Sequence, residues 1–176
     1  MTAQFPEQLL YNGETLAMCD EPLDVYFMLG GKNPHFEANC SACWRGYVGT
    51  WKIEADRLFL VEVSGVLQDR TTGSLESIFP GYPEQVFAHW YSGTLRCQRG
   101  SMVEHVNAGY AIQCAHAGYE SRYEADFFIH VRKGIVVRHN LQCNADTFDA
   151  SKAESNCQVG AFTTFSFRTP DDAERQ

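Results

Sequence analysis

The chain has no excess of basic residues, no long apolar run and no assembled catalytic signature. Lys and Arg number 14 against 22 Asp and Glu, for a net charge of -8. Nonspecific nucleic-acid binding is driven mainly by cationic side chains, so this balance argues against it and suits a basic partner or simple solubility. The longest unbroken apolar run is residues 25–29, far short of the roughly 20 needed to span a bilayer, so no membrane segment is expected. Residues 1–7 lack the basic region and apolar core of a secretory signal. The seven Cys form an odd set. With no export signal they are expected to be reduced thiols in the cytoplasm.

Several motifs are also missing. Gly30-Gly31-Lys32 lacks the spacing, and the following Ser or Thr, of a phosphate-cradling loop. There is no Gly-x-Ser-x-Gly and no His-Glu-x-x-His. No cofactor is expected.

The composition points to a folded domain: 44% hydrophobic and 13% aromatic residues, with 12 Phe, 8 Tyr and 3 Trp. Such a chain buries enough apolar area to offset the entropy of ordering. At 176 residues one domain is expected, running over 1–167, with a polar tail over 168–176.

Period-two alternation dominates. Asn12-Gly13 supplies the two positive φ angles of a tight hairpin turn between strands at 8–11 and 14–18. Leu23–Leu29 reads as a further strand and 30–43 as loop. Tyr47, Gly49, Trp51 and Ile53 share one strand face. Across the Glu54–Arg57 turn, Phe59, Val61 and Val63 face one way and Leu58 and Leu60 the other. A helical turn is expected over 74–79, closed by Pro80-Gly81. Residues 86–97 read as one long strand kinked at Gly93, and 101–119 as its partner. Arg122–Arg132 alternates, turns at Lys133-Gly134 and returns over 135–139. Residues 140–157 read as loop with a short helix near 150–155, and Phe162, Phe165 and Phe167 mark a last strand. The sum is about nine or ten strands: a mainly β, single-domain, antiparallel sandwich or flattened barrel with one or two short helices.

The run Cys43-Trp44-Arg45-Gly46-Tyr47, followed by Thr50-Trp51-Lys52-Ile53 and Leu58-Phe59-Leu60, resembles a pattern in a family of small, uncharacterised bacterial proteins. So do Trp90-Tyr91-Ser92-Gly93-Thr94-Leu95, Tyr123-Glu124 and the Gly134 turn. The resemblance covers residues 38–138. It implies a bacterial, cytosolic, single-domain protein and carries no chemistry.

Each functional candidate has a plainer reading beside it. Cys40-x-x-Cys43 has zinc or redox spacing, but a structural zinc needs a second pair. Cys97, Cys114, Cys143 and Cys157 are solitary, so structural thiols are the simpler account. A nucleophilic Cys97 or Cys114 would need His89, His105 or His116 at hydrogen-bond distance. Glu124 and Asp126, near Glu120, lie on one side of a strand, where paired carboxylates can do acid–base work. A ladder of ion pairs with Arg122 and Arg132 is the plain alternative. Trp44, Arg45, Tyr47, His89 and Tyr91 are the remaining binding candidates, with Trp44, Arg45 and Tyr91 expected at the surface. Aromatics and Arg dominate interface hot spots, although in strands aromatics mostly fill cores.

Three functions follow. The first is a non-enzymatic protein-binding domain of immunity or adaptor type, with a protein partner. The second is a small-molecule binder or enzyme whose cleft is lined by Trp44, Arg45, His89, Tyr91 and Glu124. The third is a zinc protein through Cys40 and Cys43.

Overall fold

Three tight hairpins organise the barrel. In the computed structural model, which describes residues 4–38, 40–104 and 122–144, each turn places both central residues at positive φ: Asn12-Gly13, Ala55-Asp56 and Lys133-Gly134. Their backbone twist matches that of the flanking strands, so the pairing is set locally. The first joins β1 (Glu7–Tyr11) to β2 (Glu14–Met18). The second joins β3 (Tyr47–Glu54) to β4 (Arg57–Val66). The third joins β8 (Arg122–Arg132) to β9 (Ile135–Cys143).

Short strands β5 (Thr72–Gly73) and β6 (Val86–Phe87) pair with β4, and β7 (Gly93–Glu104) pairs with β2 and β8. The strands run β3-β1-β2-β7-β8-β9-β4 and return to β3, closing a seven-stranded barrel. Closure removes the unpaired edges that an open sheet would expose. The fold is mainly β, as the alternation predicts, with the barrel form realised. Among the described residues the ladders are antiparallel except β1–β3, which is parallel.

The interior is filled by side chains, as in other small barrels. Leu9, Met18, Trp51, Leu58, Leu60, Leu95 and Ile129 are wholly buried. In β4 the register shifts so that Thr50 faces Glu62 while Trp51 faces Leu60. Val61 is the extra residue of a bulge. Leu58, Leu60 and Val63 therefore all point inward, which corrects the simple alternation expected there.

Residues 23–29 are not a strand. Pro22–Met28 forms helix α1, with Pro22 at its start, where a missing N–H costs nothing. A helix this short is unstable alone. Its inward Leu23 is buried, and Tyr26 packs 4.7 Å from Phe79 and 5.0 Å from Trp90. The Trp90 indole N–H donates to Pro22 O at 3.0 Å. Tertiary packing thus overrides a β-like local composition.

The expected long strand 86–97 is also broken. A turn intervenes, with Tyr91 N donating to Ala88 O at 3.0 Å, and β7 begins at Gly93. The helical turn near 74–79 is present as α2 (Leu75–Ile78), with Ser74 and Ser77 forming a reciprocal cap. Strand β9 extends to Cys143, beyond the expected return. The readings on 105–121, including His105, Cys114, His116 and Glu120, and on 145–176 lie outside the described residues. Among the described residues no helix is long and apolar enough to cross a membrane.

Candidate functional site

Strand β1 turns Glu7, Leu9 and Tyr11 to the same side, so a carboxylate enters the barrel beside a core leucine. Glu7 is 0% exposed. Its Oε2 accepts the Trp51 indole N–H, and Gly49 leaves room for that contact: a Cβ there would sit 2.8 Å from Oε2 and 2.9 Å from Trp51 Nε1. Oε1 lies 3.6 Å from Arg45 Nε. Burial raises the Glu7 carboxyl to about pH 8 against the smaller lowering by Arg45 and the Trp51 hydrogen bond. Burial therefore favours the protonated form of Glu7.

Arg45 ties three segments together. Its Nη1 donates to Glu21 Oε1 at 2.9 Å and its Nη2 to Phe5 O at 2.7 Å, and the guanidinium lies 5.5 Å above the Tyr47 ring. Tyr47 donates its hydroxyl to Asp24 Oδ1 of α1 at 2.5 Å. Burial, then the charges of Glu7 and Asp24, push the Tyr47 phenol far above its ordinary value. It stays a donor at any physiological pH.

The loop before β3 is fixed from two sides. The Phe36 ring lies against Gly65 and Gly73, and its Cβ against Gly46, where any added Cβ would come within 3 Å. Residues 4 and 5 hold the other side: Phe5 N donates to Ala42 O at 2.8 Å, and Trp44 N to Gln4 Oε1 at 3.1 Å. Trp44 is left 59% exposed on a hydrogen-bonded backbone, and Phe5 is also exposed.

The expected binding residues divide accordingly. Trp44 is at the surface. Arg45 and Tyr91 are not: the Arg45 side chain is 7% exposed and Tyr91 is 6% exposed. Arg45 is buried because it serves as a tie between β1, α1 and the loop. Tyr91 is buried because the turn at 88–91 folds it onto the core. Trp44, Arg45 and Tyr47 do lie together. His89 is exposed and stands edge-on to Trp90 at 5.4 Å.

Glu124 is placed by another part of the sheet, where its Oε2 accepts the Ser101 N–H of β7 at 2.9 Å. No described hydrogen bond joins it to Arg45 and Tyr47 beside α1 or to His89 and Tyr91 in the turn before β7. Asp126 is buried and held by other partners. Arg96 binds it with two bonds, at 2.9 and 3.2 Å, and Asn144 adds a third at 2.7 Å. Arg96 is its ion-pair partner among the described side chains.

Cys40 and Cys43 face each other across a turn, both as free thiols, Cys40 exposed and Cys43 buried. No group of three or more His, Cys, Asp or Glu suited to a metal occurs among the described residues. Cys19 and Cys97 are buried thiols, and burial pushes Cys19 up to about 12 and Cys97 higher still.

Sequence reasoning missed Glu7. The signal was present, because residues 7, 9 and 11 alternate in phase with a core leucine. Its place as the first residue of β1 obscures that signal. It also missed Glu14 and Arg99, an ion pair with Arg99 placed 5.8 Å from the Phe127 ring.

The described residues define a closed β barrel with a helix packed on its wall, an enclosed carboxyl of raised pKa and a surface tryptophan whose backbone is hydrogen-bonded to Gln4. No family model, curated protein or solved structure matches the chain.

Proposed function

We propose that the protein is a non-enzymatic, protein-binding domain of adaptor or immunity type that engages a basic partner through the face carrying Trp44. The observation that carries this reading is the combination of exposure and backbone anchoring at Trp44. Its backbone N–H is held by Gln4 and the next residue is anchored at Glu21 and Phe5. A large aromatic presented without loss of backbone freedom is the kind of anchor that contributes most at interfaces. Phe5, also exposed, adds apolar area. The net charge of -8 favours a basic partner and faster encounter with it.

Catalysis is disfavoured by the same geometry. Glu7, the described carboxyl whose protonation is shifted into the physiological range, is fully enclosed, so no substrate atom reaches it with the barrel intact. A cytoplasmic setting fits the free thiols at Cys19, Cys40, Cys43, Cys97 and Cys143.

The test places a photo-cross-linking residue at exposed Ser41, in the loop that carries Trp44, and for comparison at exposed Glu62, in cells that make the protein. One defined adduct is expected at 41 only, competed by added wild-type protein, not by Trp44→Ala, and weakened by salt. Equal competition by Trp44→Ala, or the same adducts at both positions, overturns the reading. Trp44→Ala is expected to change stability by less than about 0.5 kcal/mol, so loss of the adduct would not reflect unfolding.

A further inference from the structure

The turn containing Cys40 and Cys43 is held in place before any chemistry occurs. The two residues form an antiparallel bridge, with Cys43 N donating to Cys40 O at 3.1 Å. The two residues between them are clamped from outside. Gln4 Nε2 donates to Ser41 O at 3.0 Å and Phe5 N donates to Ala42 O at 2.8 Å. Beyond the turn, Gly46 N donates to Cys43 O at 3.1 Å.

Residues paired this way have Cα atoms about 5.5 Å apart. A disulfide spans about 4.4 to 6.8 Å between Cα atoms, so the backbone already meets its requirement. Closing the bond then depends on the direction of the two Cβ atoms and on side-chain rotation. The Cys43 thiol now donates to Tyr47 O at 3.3 Å, a weak bond for it to give up. The ring closed by a Cys-x-x-Cys bridge is small, so it restrains the unfolded chain little and is better suited to reversible exchange than to stapling.

We propose that Cys40 and Cys43 are a reversible dithiol–disulfide site that exchanges with low-molecular-weight disulfides such as oxidised glutathione. The exposed Cys40 loses its proton and its thiolate attacks one sulfur of the small disulfide. The protein–small-molecule S–S bond forms, the original S–S bond breaks, and one thiolate leaves. Cys43 then gives up its proton, and its sulfur attacks Cys40 Sγ and expels the second thiolate. The protein loses two electrons and two protons, and one disulfide becomes two thiols. Cys40 starts the exchange because Cys43 is buried. This inference stands apart from the recognition reading, since it concerns the thiols and needs no partner.

The test equilibrates the reduced full-length protein with reduced and oxidised glutathione, then quenches with an alkylating agent and maps the peptides by mass. The peptide carrying both cysteines is expected to lose the mass of two hydrogens, to keep no glutathione, and to recover both thiols on reduction. Cys43→Ser is expected to trap glutathione on Cys40. Cys40→Ser, a change at an exposed position, is expected to leave Cys43 unmodified. Exposed Cys143 serves as the internal control and is expected to take up glutathione without forming an internal bond. Glutathione retained on Cys40 of the wild-type protein, a dithiol that persists under a large excess of oxidised glutathione, or a bond from Cys40 to a different cysteine would each overturn the proposal.

Discussion

Trp51 and Glu7 lie 44 positions apart in the chain and meet inside the barrel, where the indole N–H donates to the carboxyl. The parallel pairing of β1 with β3, which sets Leu9 against Trp51, brings them together.

Burial of that carboxyl, against the opposing pull of the Trp51 bond, makes stability depend on pH. Folding raises the Glu7 pKa from 4.5 to about 8. Between those values the native protein holds a proton that the unfolded chain has released. Stability is therefore full below pH 4.5, falls as pH rises toward 8, and levels off above it. The loss is expected to be on the order of a few kcal/mol. Glu7→Gln keeps an acceptor for Trp51 and carries no titrating proton. Urea unfolding at pH 5 and pH 8 should show this fall in the wild type and a much smaller one in Glu7→Gln. An unchanged slope in the variant would rule out Glu7 as its source.

Arg96 and Asp126 form a second test of buried charge. Their side chains are 18% and 7% exposed, so solvent screens them weakly. Arg96→Met leaves the carboxylate with Asn144 and should cost about 3 kcal/mol. The double variant Arg96→Met with Asp126→Asn should recover part of that cost, because no unpaired charge remains. Denaturant titrations of the single and double variants measure the difference; strict additivity would mean the two residues do not act as a pair.

Ala55 pays a backbone penalty that glycine would not. It sits at φ 48 and Asp56 at φ 57 in the β3–β4 turn. The left-handed region is strained for residues with a Cβ, so Ala55→Gly should stabilise the protein by about 0.5–1 kcal/mol. Gly13→Ala should do the reverse by about 1 kcal/mol, since Gly13 has φ +81 and open space around it. Thermal unfolding of both variants checks the pair of signs.

Much of the barrel was legible. Asn12-Gly13 and Lys133-Gly134 marked two of its hairpins, and the strand Arg122–Arg132 begins and ends where alternation predicts. The errors have specific causes. Residues 23–29 look β-like by composition, yet Pro22 starts a helix there and Trp90 and Phe79 hold it on the barrel. Val61 is an inserted bulge residue, and period-two counting cannot detect an insertion. At the candidate site, Trp44 was correctly expected at the surface. Arg45 was not recognised as a tie, because its partners Glu7, Glu21 and Phe5 are distant in sequence.

By itself the sequence determined the β character, the acidic surface charge and the position of the tight turns, because each depends on residue type or on spacing within a few residues. Tertiary structure alone decided that the sheet closes, that β1 runs parallel to β3, and that Glu7 is enclosed while Trp44 stays exposed. Those outcomes depend on which distant strands meet, and desolvation of a carboxyl is a property of everything packed around it rather than of its neighbours in the chain.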